Sequence, residues 1–340
     1  STDKEKAYLK GIEALKLMDM GKLDESIELL EECIKLDPDN SVYPYEIAYA
    51  NFLKKEYKKT IKILKPLTNR KDASDLFYQL LGNTYSVSGD PKMAIKTYEK
   101  GLEKFPNSGK LYLERANMEM MKKSYEKALY YYEKGIEVEP TFPSNYYWAS
   151  KIYCSSSEEV WGMIYGEIFM NLERNSKRTV EISKMLFNTY KDQIKFLGDT
   201  SITVSFSQNA IINITDLTNP ADLKLPFGIG VYEPTLLLSI NDVNSININS
   251  LNKIRTTFVN LYFSNNHDKS YPNILFSYQK QLKEVGHLEA YNYWILMQGD
   301  EQEFLNWKNA NEEKWEAFVT WFTANPIKID NNNKFHSSQY

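Results

Sequence analysis

Three histidines, two cysteines and a few adjacent acids are the groups in this sequence that most invite a chemical reading. A zinc site needs three or four ligands meeting in space. No two of His267, His287 and His336 fall at helical spacing. His267 sits in a polar turn beside Asp268, and His287 follows Gly286 at a helix end, where a polar cap serves. Cys33 occupies a helix position suited to a small apolar residue. Cys154 precedes a run of serines and forms no paired-cysteine motif. The acid pairs Glu158–Glu159 and Glu312–Glu313 each open a helix, where negative charge complements the macrodipole. A glycosidase role would require two such acids across a sugar cleft. Gly228-Ile229-Gly230 lacks the further glycine and the strand–turn–helix context of a dinucleotide fingerprint, and reads as a flexible connection. These residues predict no catalytic group, no metal ligand and no cofactor.

The elements that would position any chemistry come from the rest of the chain. Its 340 residues suit two domains, or one elongated array with an extension. A net charge of −4 offers no basic footprint for nucleic acid. The lysines at Lys54, Lys55, Lys58 and Lys59 lie among acids and read as a solvated helix face. No apolar run is long enough for a membrane-spanning helix, so no integral membrane segment is predicted. The sequence opens on Ser1 instead of Met, as expected of a processed or trimmed product.

Two stretches, one ending at Pro106 and the other at Pro140, repeat each other at an interval of 34 residues. Tyr78 and Tyr112, Gly82 and Ala116, Ala94 and Ala128, Tyr98 and Tyr132, and Gly101 and Gly135 all keep that interval. Small residues recur where two helices must approach closely, and rings recur where the gap between neighbouring hairpins must be filled. This pattern resembles the tetratricopeptide repeat (TPR) family, whose units are antiparallel helix pairs. Tyr78, Gly82, Tyr85, Ala94, Tyr98, Gly101 and Pro106 follow the family signature, and the next unit departs from it at Glu119. Weaker units extend outward over 7–40, 41–74 and 143–175. Pro66 is expected to kink or shorten the last helix of the second unit.

The resemblance implies an all-α fold, a right-handed α-α superhelix of about five hairpins over residues 7–175. It also implies a concave face that contacts a protein or peptide partner. The matching positions on the first helices are Tyr45, Tyr49, Gln79, Asn83, Glu114, Asn117, Tyr147 and Lys151. Asn83 and Asn117 match an asparagine position of the carboxylate-clamp members. Gln79 and Glu114 replace basic groups that such members need, and Lys110 cannot restore the set alone. A mixed polar groove is therefore expected, not a receptor for acidic tails.

Residues 176–195 read as a capping or linking helix, 196–330 as a mixed, mostly helical region, and 331–340 as a flexible tail. Alternation over Ile202, Val204 and Phe206 predicts a strand, with Gln208-Asn209 turning into a second strand at Ala210–Ile214. Helices are expected at Thr235–Ser239, Ser250–Phe263, Ile274–Val285, Glu289–Met297, Glu301–Asn309 and Glu312–Asn325. The stretches LPFGIGVYEP, SYPNILFSYQKQLKEVGHLEAYNYWILMQGD and KWEAFVTWFTANP resemble the C-terminal part of TPR proteins from Bacteroidetes. That resemblance implies an extracytoplasmic setting. The functional expectation is a non-catalytic protein- or peptide-binding scaffold. The alternatives are a hydrolase-like enzyme with its cleft in 196–330, or a structural component of a cell-envelope assembly.

Overall fold

Five helix pairs account for the repeats, and each crosses at its smallest side chains. The pairs are α1 (Asp3–Asp19) with α2 (Leu23–Leu36), α3 (Val42–Leu53) with α4 (Tyr57–Leu67), α5 (Asp75–Val87) with α6 (Pro91–Lys104), α7 (Gly109–Met121) with α8 (Tyr125–Val138), and α9 (Pro143–Tyr153) with α10 (Glu159–Leu172). The computed structural model describes residues 2–198, 201–209 and 224–340. They form two compact units, Ser1–Tyr131 and Tyr132–Tyr340.

The crossing residues are Ala14 and Ser26, Ala48 and Thr60, Gly82 and Ala94, Ala116 and Ala128, and Ser150 and Gly162, spaced 34 residues from pair to pair. Ala14, Ala48, Ala94, Ala116 and Ala128 are fully buried. Where a hydroxyl stands at the crossing, it spans the two helices. Ser26 Oγ donates to Ala14 O over 2.7 Å, and Thr60 Oγ1 to Ala48 O over 3.3 Å. In the fifth pair the direction reverses, and Ser150 Oγ donates to Gly162 O over 2.9 Å. A buried hydroxyl thus finds its partner in the backbone it packs against.

The turns inside the hairpins keep the same period. Gly21, Lys55, Gly89 and Lys123 all have positive φ, at 76°, 60°, 91° and 58°. After each, a backbone N–H closes the helix end: Lys22 to Leu17, Glu56 to Asn51, Asp90 to Tyr85 and Ser124 to Glu119, all at 2.8–2.9 Å. This is the left-handed helix stop that glycine adopts most easily. Two of the four turns achieve it with lysine.

Two apolar clusters pack within Ser1–Tyr131 among the described residues. Ala7, Ala14, Leu30, Cys33, Tyr43 and Ile47 pack in one, and Ala48, Leu64, Phe77, Tyr85, Tyr98 and Leu111 in the other. Pro66 lies at the end of α4, one residue before the helix stops.

In Tyr132–Tyr340, α11 (Lys177–Gln193) leads straight into β1 (Ile194–Leu197), which pairs antiparallel with β2 (Ser201–Val204). Ile194 faces Val204 and Leu197 faces Ser201. The predicted strand at 202–206 therefore exists in part, but its partner precedes it. The chain end of α11 supplies that partner, whereas Ala210–Ile214 lies outside the described residues. Gly228–Tyr232 is also not a loose connection. It forms one wide π-turn running into α12 (Glu233–Leu238). Gly228 lies against Ser207, and an added Cβ would run into that side chain. Among the described residues the remaining α-helices are α13 (Ile248–Ser264), α14 (His267–Ser270), α15 (Ile274–Glu284), α16 (Leu288–Leu296), α17 (Glu301–Ala310) and α18 (Glu312–Ala324). All but the short α14 were legible as sequence pattern to within two residues.

The tail expected to be flexible is packed. Phe335 is 1% exposed, and the Tyr340 ring lies 5.1 Å from Phe227 and 5.4 Å from Phe335. Ser337 N donates to Tyr165 Oη at 2.8 Å, and Lys334 Nζ to Glu137 O at 2.6 Å. Two aromatic anchors among polar residues hold a segment whose average polarity suggested solvent.

The fold is thus an all-α, TPR-like superhelix of paired helices with a small β-hairpin insertion in its C-terminal part.

Candidate functional site

The eight predicted contact residues all stand on first helices of hairpins: Tyr45 and Tyr49 on α3, Gln79 and Asn83 on α5, Glu114 and Asn117 on α7, Tyr147 and Lys151 on α9. Six belong to Ser1–Tyr131. Four of these form one cluster around a carboxylate. Gln79 Nε2 donates to Glu114 Oε1 at 2.9 Å, Asn83 Nδ2 reaches the same oxygen at 3.5 Å, and Asn117 Nδ2 donates to Glu114 Oε2 at 3.2 Å. Behind them, the buried Tyr98 hydroxyl donates to Asn83 Oδ1, which orients that amide with its N–H toward Glu114. Burial, and then the Glu114 charge, pushes the Tyr98 phenol well above its ordinary range.

Glu114 stands among these amides. Among the described residues no lysine or arginine forms an ion pair with this carboxylate. Lys110 turns instead toward Asp75, 3.9 Å away. The clamp-like asparagines therefore already hold a carboxylate, one supplied by the chain itself. Beside this cluster Tyr45 stacks on Phe77 at 5.2 Å, and burial pushes its phenol up to about 12. Tyr49 remains 38% exposed.

Tyr147 and Lys151 belong to the other unit and are engaged there. Tyr147 is only 6% exposed, with its ring 5.3 Å from Phe169 and under the Arg178 guanidinium at 4.9 Å. Its hydroxyl donates to Glu181 Oε2 at 2.5 Å, and Lys151 Nζ pairs with Glu181 at 2.5 Å.

A second polar constellation escaped the sequence reading. In α10, Glu167 is buried and accepts from Arg255 Nη2 at 2.6 Å and Nη1 at 2.9 Å, from Gln279 Nε2 at 2.6 Å, and from Tyr291 at 2.9 Å. Arg255 Nε donates to Asn292 Oδ1 at 2.8 Å. Burial opposes the guanidinium charge, but Glu167 beside it overrides that and holds Arg255 firmly protonated. The signal was a lone acid inside the apolar helix GMIYGEIFM. The adjoining cavity, lined by Met163, Glu167, Arg255 and Gln279, has about 20 Å³, room for a single water. Among the described residues no three His, Cys, Asp or Glu side chains stand together as a metal site. No described helix is long and apolar enough to cross a membrane.

Residues 15–40 and 77–106 match the tetratricopeptide repeat family model. The repeats are TPR-like. The matched stretches lie in the first and third hairpins of the array. Among solved structures, a thermophilic TPR protein of Thermus thermophilus is 16% identical, with a TM-score of 0.44 over 53% of this chain and 98% of that one. PilF of Pseudomonas aeruginosa is 12% identical, with a TM-score of 0.46 over 56% of this chain and 85% of that one. MamA of Desulfovibrio magneticus is 14% identical, with a TM-score of 0.38 over 51% of this chain and 97% of that one. No curated protein gives a significant match to the sequence.

Proposed function

We propose that this TPR-like chain is a non-catalytic scaffold that binds a protein or peptide through the first-helix face of Ser1–Tyr131. The observation that carries this reading is Glu114, held by three amides and left without a counter-ion among the described residues. A carboxylate in that position repels acidic tails and attracts a lysine or arginine side chain. The half-buried amides of Gln79 and Asn83 suit an extended backbone beside it, and Tyr45 and Tyr49 add flat contact area. Tyr147 and Lys151 serve as framework in their own unit, since Glu181 already satisfies both.

The test is a panel of extended peptides, basic, neutral and acidic, titrated into the full chain and into a Glu114→Gln variant. Basic peptides should bind the natural chain best and lose about tenfold in the variant, the scale of one charge-assisted contact. Equal binding of all three classes, or no effect of Glu114→Gln, would remove this face from the proposal.

A further inference from the structure

Glu46 and Glu114 occupy the same place in the repeat, two units apart. They stand on α3 and α7, and α5 packs against both of those helices. Their surroundings differ. Glu114 accepts from Gln79 and Asn83 of the preceding hairpin. The residues at those two places in the hairpin before Glu46 are Gly11 and Leu15, which carry no side-chain amide. Glu46 is half-buried, and among the described residues it has no hydrogen-bond donor and no ion-pair partner. Burial pushes its carboxyl above the usual carboxylate range. Lys54 pairs with Asp24 and Glu56, Lys110 with Asp75, and Arg115 with Glu99 and Glu119, so these cations neutralise neither acid. A half-buried carboxylate without a donor carries a cost that a cation from outside removes.

Apolar side chains cover the same helices. Leu15 and Tyr49 keep one 34-residue register with Asn83 and Asn117. Leu53, Val87 and Met121 keep another, one helical turn further on. All five of these apolar side chains are exposed. The face is therefore apolar with two negative points. Packed helices lie about 8–10 Å apart, so the two steps from α3 through α5 to α7 separate the acids by about 16–20 Å. An extended chain crosses that distance in about five or six residues. Alternate residues of such a chain share a side, so the even spacing turns both of its cations the same way.

We propose, resting on the binding face assigned above to Ser1–Tyr131, that its partner is an extended protein segment with two basic residues about six positions apart. One meets Glu46, the other meets Glu114, and apolar side chains between them cover Tyr49 and Val87. Charge complementarity at two fixed points sets the register of the segment, and apolar contact supplies area. A helical segment would need its two cations about eleven to thirteen positions apart to span the same gap.

The test is fluorescence anisotropy of labelled peptides with the full chain at fixed ionic strength. The peptides share one length and one background of Ala, Val and Ser. They carry a single lysine, or two lysines spaced by about two, six or twelve positions. The spacing of six should bind about tenfold more tightly than the spacing of two or the single lysine, the scale of one added charge-assisted contact. Glu46→Gln keeps the shape of the side chain, and circular dichroism checks the fold. It should bring the spacing-six peptide down to the level of the single-lysine peptide, which itself should change less than about twofold. In the peptide whose Glu46-facing lysine is replaced by norleucine, Glu46→Gln should have no further effect. Equal binding of the spacing-six and single-lysine peptides, an optimum at twelve, or no effect of Glu46→Gln would each overturn the two-cation segment. If Glu114→Gln still weakens the single-lysine peptide, the Glu114 face survives that failure. If no lysine peptide binds, both fall.

Discussion

Arg255 grips Glu167 with two parallel hydrogen bonds, 2.6 and 2.9 Å long, between side chains that are almost completely buried. Gln279 and Tyr291 complete the carboxylate, and Asn292 takes the remaining guanidinium edge. Removing one partner strands a buried charge. Arg255→Ala should therefore destabilise its unit by about 3–5 kcal/mol, measured by urea unfolding. The paired change Glu167→Leu with Arg255→Met should recover most of that loss. A loss under about 1 kcal/mol for the single variant would show that water reaches the site freely.

Gly82 lies directly against the Tyr98 ring in the third hairpin. A Cβ on Gly82 would collide with Tyr98 Cε1, inside a fully packed core. Gly82→Ala should cost about 1–3 kcal/mol through overpacking. Adding Tyr98→Leu to Gly82→Ala should make the glycine change less damaging than it is alone. Thermal melts of the four combinations give the coupling, and simple additivity would contradict the contact.

The hairpin turns make a prediction of opposite sign. Lys123 adopts a φ of 58° in the position that Gly89 fills at 91°. Lys123→Gly should raise stability by up to about 1 kcal/mol, because the left-handed conformation then carries no Cβ penalty. Gly89→Ala should lower it by a similar amount, although nothing lies within 4 Å of the added carbon. A destabilising Lys123→Gly would mean that the lysine side chain contributes more than its strain costs.

Alkaline pH should unfold the protein early. Burial pushes the phenols of Tyr45, Tyr278 and Tyr293, and the Cys154 thiol, up to about 12. Unfolded tyrosines lose their protons near pH 10 while these keep theirs, so the unfolded state is favoured as pH rises. The thiol extends this window down to about pH 9. Stability should hold below that value and fall progressively toward pH 12. Urea midpoints from pH 8 to 11.5 measure the fall, and a flat profile would contradict the burial of these groups.

The packed tail predicts that Phe335→Ala costs about 3 kcal/mol or more, as for a core phenylalanine. A change under about 0.5 kcal/mol in urea unfolding would return the segment to solvent.

The 34-residue period by itself determined the paired helices, their crossing residues and most of their ends. It could do so because helix pattern and close approach are local demands, written into neighbouring residues as apolar spacing and small side chains. Ala48 and Thr60 meet only because a tight turn between them folds the chain back on itself. The β-hairpin was half legible: alternation marked β2, but pairing is a relation between segments, and its partner came from the end of α11. The sequence also placed Gln79, Asn83, Glu114 and Asn117 on first helices. Only the tertiary structure showed that Glu114 satisfies the three amides while its own charge lacks a counter-ion among the described residues. The Glu167–Arg255 cluster and the docking of Phe335 were decided wholly by tertiary structure. Their partners lie 88 and roughly 170 residues away, farther than any sequence period can reach. Long-range partners of this kind are chosen by burial, which makes each unpaired charge or exposed ring costly until it meets its complement.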